Sequence, residues 1–305
     1  MKPRQRFSAA VEGQRIDRLP FVPLAFGVCA KVQGVSYREM LTNATVLANS
    51  VVAGQKYFKY DAIVTYLDAT LLPEALGLGK ALSTESLQEA LAEVGQNPSA
   101  ILQRGRLPVM LEGVQRVSTL VKRDGILLLS PIDGPASLSA SLETRLGAEG
   151  AVKLAGDILC ALVSALCEAG SGAILLMEDE WPAEEEKAES LSAALSTLRN
   201  VTCYYEAKLI LMLKQYAADR ASGLDVDGLL VPAASWPQEP AASAFGVGLD
   251  NEIFEHDVVL PSYLVSEETP ADDGVRFVST MSDVPGEGES INRLLDISRR
   301  LGCHD

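Results

Sequence analysis

Histidine is nearly missing from this 305-residue chain: there are two, His256 and His304. Neither follows a strand-like run, which argues against a Ser-His-Asp or Cys-His arrangement. The five cysteines (29, 160, 167, 203 and 303) contain no Cys-x-x-Cys pair. Their odd number and wide scatter exclude a zinc ribbon and a disulfide framework, and fit free thiols in a reducing cytoplasm. Basic residues are outnumbered, 26 against 41 acidic, for a formal net charge of −15. Such a surface repels phosphate backbones and anionic lipid, so nucleic-acid and membrane-surface roles are not expected. No uninterrupted apolar run reaches the roughly 18 residues of a membrane span, and the N-terminal stretch lacks a secretory apolar core. Walker, HExxH and EF-hand patterns are absent as well. The nearest glycine-rich tract, "ALGLGKAL" (75–82), does not follow a strand and reads as a turn.

What is present is an alternation. Apolar runs of strand length occur at 19–26, 61–67, 125–131, 173–177, 200–205, 225–232, 244–249 and 275–280. They are apolar on both faces, as parallel strands covered by helices must be. Between them lie helix-period segments at 37–56, 84–104, 109–122, 147–169, 184–198, 206–221 and 289–301. Eight strand-like runs separated by helical segments predict a single-domain (β/α)8 barrel, an α/β TIM barrel spanning 1–305, with an open doubly wound sheet as the alternative.

In a barrel, residues following the strands line the face that carries chemistry. The expected ring includes Gly27 to Ala30, Asp68, Asp133, Glu178 to Glu180, Tyr204 to Glu206, Asp250, and Met281 to Asp283. It is acidic and poor in histidine and lysine. Cys203 and Glu206, with Glu178 or Asp179, have the donor atoms for Zn2+. The plainer reading makes Cys203 a small core residue and Glu206 a first-turn helix residue.

Several segments resemble the uroporphyrinogen decarboxylase and cobamide methyltransferase superfamily. They are "RFSAAVEGQRIDRLPFVP" (6–23), "YDAIVTYLDATLLPEALGLG" (60–79), "LLLSPIDGPASLSASL" (127–142) and "VRFVSTMSDVPGEGESINRLLDISRRLG" (275–302). The resemblance implies the same barrel. It sets Asp68 where the decarboxylases hold the pyrrole nitrogens of their substrate. The other decarboxylase positions are not kept: the arginine-bearing first loop offers only Lys31, the tyrosine falls at Ser141 and the late histidine at Ser282. The methyltransferase branch implies zinc, held by a His-x-Cys after strand five and a later Cys. Those positions fall at Tyr204, Glu206 and Ser282, so the usual thiolate set is replaced.

The resulting expectation is a divergent, cytoplasmic methyltransferase acting on a small methylated substrate. Asp68, Tyr204 and Glu206 would be catalytic, Lys31, Asp133 and Ser282 would bind substrate, and Glu178, Asp179 and Glu206 are the candidate metal ligands. Zinc and methylcobalamin, the latter through a separate corrinoid protein, are the implied cofactors and partner. Uroporphyrinogen decarboxylation and a non-catalytic ligand-binding barrel are the alternatives.

Overall fold

The computed structural model describes residues 1–78, 84–235, 244–255, 260, 264, 274–286 and 288–304. His256 therefore lies outside the described residues, as do residues 79–82 of the glycine-rich tract 75–82. Seven parallel strands form one sheet in sequential order: β1 (Ala62–Val64), β2 (Leu127–Asp133), β3 (Ala173–Glu180), β4 (Lys208–Gln215), β5 (Gly228–Pro232), β6 (Ala244–Leu249) and β7 (Val275–Thr280). The segment 19–24 takes the eighth position. Val22 N–H donates to Val278 O (2.8 Å), Val278 N–H to Pro20 O (2.9 Å), and Asp61 N–H to Phe21 O (2.8 Å). The first and last strands are thereby joined through it and, among the described residues, no sheet edge is left unpaired, which is how a barrel removes an edge. The chain is an α/β TIM-type barrel.

The strands are buried on both faces; Leu209 to Leu213 are each at most 1% exposed. Helices cover the outside. The helix Ala44–Phe58 begins at Asn43, whose side chain accepts from Thr45 and Val46 N–H, satisfying two of the donors a helix start leaves open. The helix Pro135–Ala169 is long and apolar enough to cross a membrane by composition. Non-helical backbone at Gly147 divides it, however, and its Leu154, Ile158, Leu162 and Leu166 face is buried in the protein core, as an outer barrel helix requires.

One strand differs from the expected set. "NVTCYY" (200–205) is the last turn of the helix Glu185–Tyr204, and the fifth barrel strand is the following run, β4. Half of the expected helix 206–221 is therefore strand, and only Ala218–Ala221 at its end is helical. Val201, Thr202 and the tyrosines favour strand by intrinsic propensity. Tertiary burial overrides it, because Leu191, Leu195, Leu198 and Thr202 lie at helical spacing on one covered face. Conversely, "LILML" is built of good helix formers but sits inside the barrel wall.

Candidate active site

The C-terminal ends of the strands surround a cavity of about 300 Å³. That is the small end of the roughly 300–1,000 Å³ range of ligand pockets. Its polar lining comes from Asp68 after β1, Asp133 closing β2, Lys214 in β4, and Ser282 and Asp283 after β7. Tyr37, Tyr66, Met177 and Met281 supply much of the apolar wall.

Each carboxyl has a different set of partners. Asp68 accepts from Thr70 N–H (2.8 Å) and Thr70 Oγ1 (2.7 Å), and pairs with Arg106. Burial alone would raise its pKa; those hydrogen bonds and the guanidinium win and hold it below the ordinary range. Arg106 also reaches Glu74 (2.8 Å) and Tyr66 Oη (3.2 Å), so its charge is fully engaged. Nothing in its sequence context, just before the helix Leu107–Val121, marked Arg106 as a neighbour of Asp68. The contact is 38 residues long-range and exists only because the barrel curls.

Asp283 is held by neutral donors, the Phe26 and Gly27 N–H groups, each at 2.9 Å. Burial dominates and lifts its pKa to about 6 against these bonds and that of Val284 N–H. A Cβ at residue 27 would lie 2.8 Å from Asp283 Oδ2, so the close approach requires glycine there.

Asp133 makes no hydrogen bond or ion pair with any described residue. Burial raises its pKa to about 6; the nearby Lys214 charge pulls it down, while Asp179 and Asp68 push it up. Lys214 is itself tied to Asp179 at 2.7 Å. A carboxyl poised near neutrality in a cavity wall is suited to taking or giving a proton.

The register pairs Asp133 with Met177. Strand alternation then turns the next residue, Glu178, the other way. Glu178 accepts from Ala136 N–H (2.6 Å), Ser137 N–H (2.7 Å) and the Ser137 hydroxyl, at the start of the helix Pro135–Ala169. Burial dominates its pKa, which rises to about 7 in spite of those donors. Gly134 has no room for a Cβ, since the Glu178 carboxyl fills that space. Glu178 is thus a clamp on the segment that carries Asp133 rather than a free metal ligand.

The remaining expected residues divide between the two ends of the barrel. Asp68, Asp133 and Ser282 meet at the cavity. Lys31 lies exposed on the short helix Gly27–Gln33 and does not line it. Ser141 lies within the helix Pro135–Ala169, donating to Leu138 O. Asp179 is exposed in its pair with Lys214.

Tyr204 and Glu206 require correction. They precede β4 and sit at its N-terminal end, roughly 25 Å from the mouth for an eight-residue strand at ~3.3 Å per residue. Tyr204 is 81% exposed, and Glu206 adopts a left-handed turn with φ 55°. Cys203 is likewise exposed there and accepts from Arg199. None of the three joins the cavity.

The strand-five end, where the resemblance looks for a zinc-binding His-x-Cys, carries Lys214, Gln215 and Tyr216. Among the described residues, soft donors at the cavity are limited to the thioethers of Met177 and Met281. Among the described residues no three His, Cys, Asp or Glu side chains converge as metal ligands. The site does not fit a zinc–thiolate centre.

Comparison with known proteins agrees with the architecture. The chain is 24% identical over 205 residues to the methylcobamide:CoM methyltransferase MtaA of Methanosarcina barkeri, a match covering 57% of this chain and 58% of that protein. The matched region thus spans less than two thirds of that relative. A methyltransferase structure from Methanosarcina mazei superposes with a TM-score of 0.75 over 98% of both chains at 17% identity, a likeness of fold. Residues 2–186, more than half of the chain, match Uroporphyrinogen decarboxylase (URO-D). With this cavity at the barrel mouth and that match along its first 186 residues, the chain belongs to the uroporphyrinogen decarboxylase family.

Proposed function

We propose that this chain transfers a methyl group between a carrier and a small substrate bound in the mouth cavity. The observation that carries the reading is Asp133, an unpartnered carboxyl with a near-neutral pKa in the cavity wall. In the step, Asp133 takes the proton from the substrate heteroatom as that atom bonds to the methyl carbon. The carbon's bond to the donor breaks and its electron pair stays on the donor. The reverse reaction uses the same groups. Asp68, fixed by Arg106 and Thr70, shapes one wall, and Glu178 holds the β2 end in register.

The named activity of the Methanosarcina barkeri relative supports a methylcobamide donor, delivered by a separate corrinoid protein. Zinc has no part in this reading, since the donor set does not fit it.

Methylcobalamin incubated with the enzyme and a panel of small amines, alcohols and thiols is the direct test. Loss of the methyl–cobalt absorbance together with a methylated product is expected, and D133N should slow it about 100-fold or more. No conversion with any acceptor would sink the reading. The second reading, uroporphyrinogen decarboxylation, is favoured by the family match. It is opposed by a mouth whose cations among the described residues, Arg106 and Lys214, are already paired with carboxylates, leaving little to bind a polyanion. Loss of carboxyl groups from uroporphyrinogen on incubation would establish it.

A further inference from the structure

Among the described residues, the charge left over at the mouth has one sign. Arg106 is balanced by Asp68 and Glu74, and Lys214 by Asp179. Asp283 is served only by neutral backbone donors, and Asp133 by no described partner at all. An ionised carboxylate that is half-buried and has no directly paired cation is costly. An anionic ligand would raise that cost, and a neutral one would leave it. A cation would remove it.

The rest of the wall suits the same guest. Tyr37 donates its hydroxyl to Leu67 O (2.9 Å) and Tyr66 donates to Leu41 O (3.0 Å). Both phenols are thus spent on backbone, and the rings provide surface rather than hydroxyl donors. Phe26 packs against both, with ring centroids at 5.9 and 5.7 Å. Aromatic faces and the polarisable thioethers of Met177 and Met281 favour weakly hydrated cations bearing small alkyl groups.

We propose that the mouth cavity binds a small alkylammonium ion, with the Asp133 carboxylate as its counter-ion and Tyr37, Tyr66, Met177 and Met281 as its apolar cage. This rests on the assignment of the cavity as the substrate site, and gives the substrate heteroatom of the methyl transfer as nitrogen. Asp133 then both holds the ammonium and accepts its proton.

Isothermal titration at constant ionic strength tests it, with tetramethylammonium chloride, the near-isosteric neutral tert-butanol, and methanesulfonate. Tetramethylammonium should bind at least 10-fold tighter than either of the others at pH 8, and at least 10-fold weaker at pH 4.5, where Asp133 is protonated. D133N, checked for an unchanged near-ultraviolet spectrum, should weaken tetramethylammonium 10-fold or more and reduce its pH dependence to the part that Asp283 contributes. Equal binding of tert-butanol and tetramethylammonium by the wild-type protein overturns the proposal whether or not D133N folds, as does preferred binding of methanesulfonate. A folded D133N that binds like wild type overturns it too. The readout needs no turnover. Tetramethylammonium binding without any methyl transfer would break only the catalytic reading, and methyl transfer to thiols or alcohols without ammonium binding would break only this one.

Discussion

Asp61 and Asp133 occupy opposite ends of the same barrel and opposite electrostatic conditions. At the base, Asp61 is fully buried and saturated: Arg6 Nη1 at 2.5 Å, Arg18 Nη1 at 2.7 Å and Phe21 N–H at 2.8 Å all point at it. Arg6 continues to Asp17, which the guanidinium hydrogen bond holds far below its usual range despite partial burial. That network ties the N-terminal helix and the opening strand to β1. At the mouth, the half-buried Asp133 carboxyl has no such partners among the described residues, and pairing is replaced by a cavity. One end uses its carboxylate to fasten the chain; the other keeps a carboxyl available to a ligand. Residue type alone does not separate these roles, whereas partner count does.

The largest expected effect lies at the base. D61A leaves half-buried Arg18 without its anion and buried Arg6 with Asp17 alone, and should cost about 3–5 kcal/mol in urea unfolding. Ligand affinity of the molecules that remain folded should not change. Equal loss of affinity and stability would erase the distinction between the two ends.

D133N should do the reverse, removing activity while leaving stability at neutral pH the same or slightly higher. The pH dependence carries the sign. Asp133 has a folded pKa of about 6, above the ~4 of an unfolded aspartate. Its contribution to stability is present below about pH 4 and is lost as pH rises through 6. Measured at pH 4 and pH 8, D133N should therefore gain stability relative to wild type as pH rises. A constant difference across that range would mean that Asp133 is not the poised group described here.

E178Q tests the clamp between the two behaviours. It keeps the shape but replaces one acceptor oxygen by an NH2 facing donors, so about 1–3 kcal/mol should be lost. Affinity at the cavity should weaken with it, through displacement of the Asp133 segment. Loss of stability with unaltered binding would separate Glu178 from the site.

Smallest of all, Y204A should change stability by no more than about 0.5 kcal/mol and leave methyl transfer and ligand affinity untouched. A measurable loss of activity would contradict the placement of that residue at the far end of β4.

Much of this was legible beforehand for a physical reason. The runs at 244–249 and 275–280 are strands over just those residues, because strands covered on both faces must be apolar throughout. Asp68, Asp133 and Ser282 were reachable by the rule that barrel chemistry follows strand ends. Tyr204 and Glu206 entered the expected site through one misplaced strand. Helix propensity in "KLILML" and strand propensity in "NVTCYY" both pointed away from the state that burial selected.

By itself, then, the amino-acid pattern determined the barrel, since alternating buried runs and amphipathic helices leave few other ways to cover apolar surface. The acidic, histidine-poor character of the mouth was determined in the same way. Tertiary structure alone decided which carboxyls are paired. Arg106 is 38 residues from Asp68, and Ala136 and Ser137 are more than 40 from Glu178. Whether a carboxyl is a fastening, a clamp or an open site depends on donors that only chain closure brings within 3 Å.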